Sequence, residues 1–325
     1  MRWAGYAQNA SVISMGMTRI FFATDVHGSE TCFRKFLNAA AMYKANVSIL
    51  SGDITGKLVI PIITKPNGSF SAHYLGGEHV GKSEEDAARI DKEIRSVGFY
   101  PYRITDEEFR RLKSQADPET VFRKVVREEI QRWVNEAEVH FKKLGAKCLI
   151  SAGNDDFFDI DEPLNSSSYI VNPEGKVVNI DDDHEMITMA WSNPTPWNSP
   201  RECSEDELAS KIEALTSQVS DMKTCIFNFH CPPFDSRLDD APRLDEKMVA
   251  RGEMIPVGSK SIRNAIEKHQ PLIGLHGHIH ESRGSYKIGR TLCVNPGSEY
   301  TEGILRGTIV NLDKDSVKGF ILTSG

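Results

Sequence analysis

Five short apolar runs in this chain each end in side chains that can ligate a metal, and the order of those side chains restricts the fold more than any other feature. Residues 20–23 lead into Asp25-Val26-His27-Gly28, residues 47–50 into Gly52-Asp53, and residues 148–150 into Gly153-Asn154-Asp155-Asp156. Residues 225–229 lead into His230, and residues 272–275 into Gly277-His278-Ile279-His280. Short apolar runs bounded by glycine and polar residues read as buried strands. When the polar residues all follow their strand, they collect along one edge of a sheet, where α/β proteins build their sites.

The candidate ligands are Asp25, His27, Asp53, Asn154, His230, His278 and His280. They comprise four imidazoles, two carboxylates and one amide. Such nitrogen and oxygen donors suit Mn²⁺, Fe²⁺, Co²⁺ or Zn²⁺, and they exclude an iron–sulfur cluster. Seven donors are too many for one tetrahedral ion but serve two ions if a carboxylate bridges. Two ions about 3.5–4 Å apart can clamp a phosphoryl group and activate a water. Four of the ten histidines fall at these strand ends, which separates them from ordinary core or surface histidines. His276, at the end of its strand, reads as structural.

The order Asp-x-His, Gly-Asp, Gly-Asn-x-Asp, His, Gly-His-x-His resembles the calcineurin-like metallophosphoesterases, and the likeness extends over roughly residues 19–320. The resemblance implies an α/β fold: a four-layer αββα sandwich of two mixed β-sheets flanked by helices. It implies that one ion takes Asp25, His27, Asp53 and His280, and that the second takes Asp53, Asn154, His230 and His278, with Asp53 bridging. It implies two divalent ions, Mn²⁺ foremost, with Fe, Zn²⁺, Co²⁺ or Ni²⁺ also admitted. The implied reaction is attack by a metal-bridging hydroxide on a small phosphorylated substrate, with Asn154, Asp155 and His230 as the catalytic set. An inactive scaffold that binds a partner protein through the same fold is the alternative.

One departure matters. Where the family usually places a histidine after the asparagine, this chain has Asp155. A positioned general acid contributes about 10²–10⁴-fold. An aspartate beside two cations stays ionised, cannot donate a proton and repels a phosphate oxygen. Three consequences stay open: a phosphodiester substrate whose leaving group needs little protonation, a different proton donor such as His230, or slow turnover. Family members with cysteine at this place resemble the first case. Asn295-Pro296-Gly297-Ser298 is similar to a segment of cytosolic family members and points the same way.

Hydrophobic content of 39% and charged content of 26% describe a globular chain. A net charge of −7 disfavours a nucleic-acid backbone as partner. No apolar run reaches the ~18 residues of a membrane helix. Six cysteines without a Cys-x-x-Cys pair suggest a reduced, cytoplasmic protein. Residues 1–17 read as a flexible or mis-assigned extension, with a short ordered arm as the alternative, and residues 18–325 as the domain.

Residues 57–145 form an unusually long connection. They read as a largely helical insertion, a hairpin plus helices, with Phe99, Tyr100, Tyr102, Phe109 and Trp133 as its own small core. It is a candidate cap over the site or a candidate surface for homo-oligomerisation. Residues 168–171 and 176–180 read as a second hairpin around Asn172-Pro173-Glu174-Gly175. Arg201, Arg237 and Arg243 are weaker candidates for contacting phosphate.

Overall fold

The computed structural model describes residues 17–115 and 118–325. The extension expected at residues 1–17 therefore lies, apart from Met17, outside the described residues.

Two mixed sheets form the centre. The first runs in the order Ser316–Ser324, Arg306–Asp313, Thr18–Ala23, Val47–Ser51, Lys147–Ser151. Its last three strands are mutually parallel. The second runs Gly284–Ile288, Thr291–Asn295, Ile273–Leu275, Ile226–Phe229, Glu185–Met189, Val177–Asn179. Its four inner strands are parallel. The five strands that carry the ligand motifs are all in these parallel sets, so their carboxyl ends share one edge.

Alternate residues of each strand face opposite layers. Ile20, Phe22, Ile49 and Leu149 from the first sheet meet Met186, Ile226, Ile273 and Val294 from the second. The outer face of the first sheet packs Phe21 and Ile150 against Phe36, Trp133 and Phe141. The outer face of the second packs Phe227 and Phe229 against Leu208, Ile212 and Ile266. Burial on both faces explains why the strand sequences read as continuous apolar runs. The result is the four-layer αββα sandwich that the resemblance implied.

The helices follow local rules. Glu205–Thr216 opens on Ser204 with a full capping box to Glu207, and Lys260–His269 opens on Ser259, whose side chain accepts from the Ile262 N–H. Glu30–Tyr43 starts at Ser29 and ends at Lys44 in the left-handed region.

Three expectations need correction. The stretch 57–145 holds a four-stranded sheet, Gly77–Gly81, Phe70–Tyr74, Val59–Thr64, Tyr100–Thr105, rather than a hairpin with helices alone. Its strand Tyr100–Thr105 carries Pro101. It lies on the sheet's edge, where a proline costs no ladder bond. The aromatic residues do not form one local core: Phe99 packs on the small sheet, whereas Tyr100 and Trp133 join the main core. Trp133 stacks on Phe33 at 4.2 Å from the long helix Pro118–Leu144, which covers the first sheet. Lastly, residues 168–180 are not a hairpin. Val171 bridges Leu149, and Val177–Asn179 pairs with Glu185–Met189 across the acidic turn at Asp181.

Candidate metal centre

The loops after the five strands hold their ligand residues in an uncommon backbone. Asp25, His27, Asp53 and His278 have φ values of 52°, 40°, 40° and 67°. Non-glycine residues in the left-handed region cost of order 1 kcal/mol or more each, and they persist only where surroundings impose them. Here each loop is tied to another. The Asp25 N–H donates to Gly52 O at 3.0 Å, and the His27 N–H to Asp53 O at 2.9 Å. The His278 N–H donates to the Asp25 carboxylate at 3.1 Å, and the Gly277 N–H to His230 O at 2.9 Å. The Asn295-Pro296-Gly297-Ser298 segment adds two ties: Asn295 Nδ2 donates to Ile279 O at 2.9 Å, and Ser298 Oγ to Asp25 O at 2.6 Å.

Held this way, the side chains converge in two groups. Donor atoms of Asp25, His27 and His280 lie within 4.8 Å of one another, as do those of Asp53, His230 and His278. Asp53 faces both groups, with Oδ2 3.9 Å from His27 Nε2 and Oδ1 3.4 Å from His230 Nε2. Asn154 joins the second group through Oδ1, 3.1 Å from His230 Nε2. The structure therefore brings all seven sequence-derived ligand candidates to one place.

The electrostatics suit cations. Asp25 and Asp53 are buried, and their ion-pair partners among the described residues are histidines alone. Two buried carboxylates are costly without compensating positive charge. His27 Nε2 and His280 Nε2 stand 3.0 Å apart and can share at most one proton, so a lone pair is left facing the gap. His27 Nδ1 and His230 Nδ1 are buried without a hydrogen-bond partner, so these two rings lack the outer acceptor that usually orients a ligating imidazole. Burial lowers His27 to about 3 and His278 to about 4, so both are neutral, as ligation requires. Burial works the same way on His230, but Asp53 and Asp25 outweigh it and raise that imidazole to about 9. Asp25 drops to about 2; burial opposes this, and His230 and His280 overcome it. These donors fit a pair of divalent ions.

Gly52 shows how tightly the motifs interlock. A Cβ there would sit 2.0 Å from His230 Nδ1, at a φ of 90°. We expect Gly52→Ala to push His230 aside and weaken one of two bound ions by about 10–100-fold while the chain stays folded. Metal stoichiometry by mass spectrometry, with thermal unfolding as the control, checks this.

Asp155 is not the bare repulsive charge that the sequence suggested. Its carboxylate is ion-paired with Lys57 and accepts from Ser199 Oγ at 3.3 Å, and its N–H donates to Asp53 Oδ1 at 3.0 Å. It also comes within ligating reach of His27 and Asp53. Asp156 staples two site loops. It accepts from the N–H groups of Ile54, Thr55 and Gly153 at 3.0, 2.9 and 2.8 Å.

A cleft of about 890 Å³ opens from this edge. Its lining includes His27, Asp53, Asn154, His278 and His280 at one end and residues 194–197 and the hairpin Asp240–Leu244/Ala250–Pro256 at the other. Among the described residues of 57–145, Lys57 alone lines the cleft, whose far wall is this hairpin. Arg243 lines the cleft, whereas Arg201 is buried behind the site, donating to Asp156 O and pairing with Asp161. Arg237 is exposed and outside the lining. His276 holds Phe229 O at 2.8 Å, a structural role as expected.

Sequence reasoning missed Lys57 and Tyr300. The Tyr300 ring lies 4.6 Å from the His27 ring and walls the cleft. Its proximity to Asn295-Pro296-Gly297-Ser298 was the available signal. Lys57 gave none beyond standing four residues after Asp53.

No protein-family model matches this chain. An uncharacterized protein of Methanocaldococcus jannaschii is 36% identical over 152 residues, 46% of this chain and 63% of that protein. The chain thus matches less than two thirds of that relative's length. One solved structure superposes with a TM-score of 0.54 at 14% identity, covering 94% of this chain and 98% of that one. The TT1561 protein of Thermus thermophilus gives 0.52 at 11% identity, with 95% and 98% covered. A dimetal phosphatase from Danio rerio aligns more loosely, at 0.43 and 8% identity over 94% and 99%. The two solved structures above 0.5 share the mixed α/β fold of this chain over nearly their whole length. Among the described residues no helix is long and apolar enough to cross a membrane.

Proposed function

We propose that this chain is a dinuclear-metal phosphoester hydrolase that prefers phosphodiesters. The observation that carries the reading is Asp53, one oxygen toward each of two donor groups, at the floor of an open cleft. Asp25, His27, Asp53 and His280 would hold one ion, and Asp53, Asn154, His230 and His278 the other. When bound, two such ions supply Lewis acidity and lower the pKa of a water. Mn²⁺ is our first choice for both, on the mixed nitrogen and oxygen donor set.

The chain's own residues set the rest. Asn154 presents its amide beside the second group, where it can also meet a phosphoryl oxygen. Lys57 supplies a fixed ammonium at the mouth of the metal edge, anchored by Asp155. We assign it the charge-neutralising role that the resemblance gives to a histidine in place of Asp155. The carboxylate of Asp155 cancels most of that positive charge. The second negative charge of a monoester therefore finds little extra compensation there, which is compatible with the diester preference.

Metal-stripped protein resupplied with Mn²⁺ should hydrolyse bis(4-nitrophenyl) phosphate faster than 4-nitrophenyl phosphate, by roughly tenfold, about 1.4 kcal/mol in barrier. Equal or reversed rates would remove the diester preference. No metal-dependent release from either would remove the hydrolase reading.

A further inference from the structure

The half of the cleft remote from the donor groups has an apolar lining that the fold does not need. The hairpin Asp240–Leu244/Ala250–Pro256 pairs with no other sheet. Its Ala241, Leu244, Ala250 and Ile255 belong to none of the buried core clusters among the described residues, yet they line the cleft. Opposite them stand Pro196 and Trp197, and Trp197 is 68% exposed. Near the end of the hairpin, Met248 and Val249 are exposed as well. Exposed apolar residues scattered singly mean little, but several lining one cleft with the donor residues mark a binding groove. Ligand sites are characteristically apolar pockets of this size with a few polar groups at one end.

We propose that the non-reacting part of the substrate is a linear hydrocarbon chain, so that the substrate class is an alkyl- or acyl-chain phosphoester. The chain lies between the hairpin and residues 194–197, and its phosphoryl head reaches the donor groups. The inference rests on the phosphoester reading for the head. A sugar or base would need hydrogen-bonding partners along this wall, and the polar side chains there are already engaged. Thr195 donates to Glu202, Arg243 pairs with Glu253 at 2.8 Å, and Ser199 donates to Asp155. Apart from the Arg243 guanidinium, what remains on the wall is hydrocarbon and one indole. A methylene moved from water into such surroundings gains about 0.8 kcal/mol, a factor of roughly four in affinity.

The test is calorimetric titration of ethyl-, butyl-, hexyl- and octylphosphonate, each into the full-length protein with Mn²⁺ and after metal removal. Adenosine monophosphate serves as the nucleotide comparison. Affinity should rise about three- to fourfold per methylene in both metal states, and Ile255→Asn and Leu244→Asn should flatten the rise while ethylphosphonate binding holds. The gain on adding metal, common to all chain lengths, reads the head-group site separately. A metal-dependent gain with a flat chain-length series, or tighter binding of the nucleotide than of octylphosphonate, would overturn the proposal. A steep series without the metal-dependent gain would support the hydrocarbon groove and overturn only the phosphoester reading. Both asparagine variants sit on an exposed two-stranded hairpin, and unchanged thermal unfolding shows that they remain folded.

Discussion

Replacing Asp53 with asparagine is expected to disable both donor groups at once. The carboxylate turns a separate oxygen toward each, with Oδ2 toward His27 and Oδ1 toward His230. An amide keeps one oxygen and turns the other contact into an N–H₂ donor, which cannot ligate. The loss of charge matters as much as the lost atom. Asp53 helps to hold His230 at about 9 and stands among four imidazoles that would otherwise face one another with less compensating negative charge. We expect the bound-metal count of Asp53→Asn to fall from two to one or none, and Mn²⁺-dependent phosphoester hydrolysis to drop by about three orders of magnitude or more. The fold should survive, because the Asp53 carbonyl still accepts from the His27 N–H and the buried loops are stapled by Asp156. Mass spectrometry under native conditions and circular dichroism separate these effects. Two ions retained at full occupancy would refute the bridging position of Asp53.

The strand ends and their ligands were legible in the sequence because both signals are local. An apolar run of four or five residues followed by glycine and a ligand is written in consecutive positions. Burial on both faces keeps the run uninterrupted, so Phe21 and Phe22 both read as core although they face different layers. What was not legible depends on distant partners. The left-handed backbone at Asp25, His27, Asp53 and His278 is imposed by hydrogen bonds from other loops, and nothing in Asp-Val-His announces it. Tyr100–Thr105 was hidden by Pro101, whose cost depends on its being at an edge. The hairpin that walls the cleft was hidden because its strands, Asp-Ala-Pro-Arg-Leu and Ala-Arg-Gly-Glu-Met-Ile-Pro, are polar and proline-bearing and bury little. Residues 168–171 carry strand-like side chains, but only Val171 finds a partner, and that partner is Leu149 in the other sheet.

Lys57 carries the second large effect, and its direction separates a catalytic cation from a surface lysine. Its pairing with Asp155 leaves the ammonium on the cleft lining, beside the space where a leaving group would depart. Lys57→Met should lower kcat for diesters with alkoxide leaving groups by about 10²–10³-fold, the usual cost of one preorganised donor at a developing charge. The loss should be much smaller for nitrophenoxide, which needs little stabilisation. Lys57→Arg should retain most of the rate, since it keeps the charge although not the geometry. Removing Lys57 also leaves the Asp155 carboxylate uncompensated beside an anionic substrate. At an effective dielectric of ~20 and ~4 Å that repulsion is about 4 kcal/mol before solvent screening reduces it. The pair can be dissected because the two groups act with opposite sign. Asp155→Asn leaves the ammonium unopposed and should shift the diester-to-monoester ratio toward the monoester, whose second negative charge then finds an answer. In the double variant both charges are gone, and the deficit should be smaller than that of Lys57→Met alone. Leaving-group slopes measured for all three variants test this. A Lys57→Met enzyme whose kcat for alkyl diesters stays within threefold of the parent would show that the ammonium only neutralises Asp155 and takes no part in the reaction.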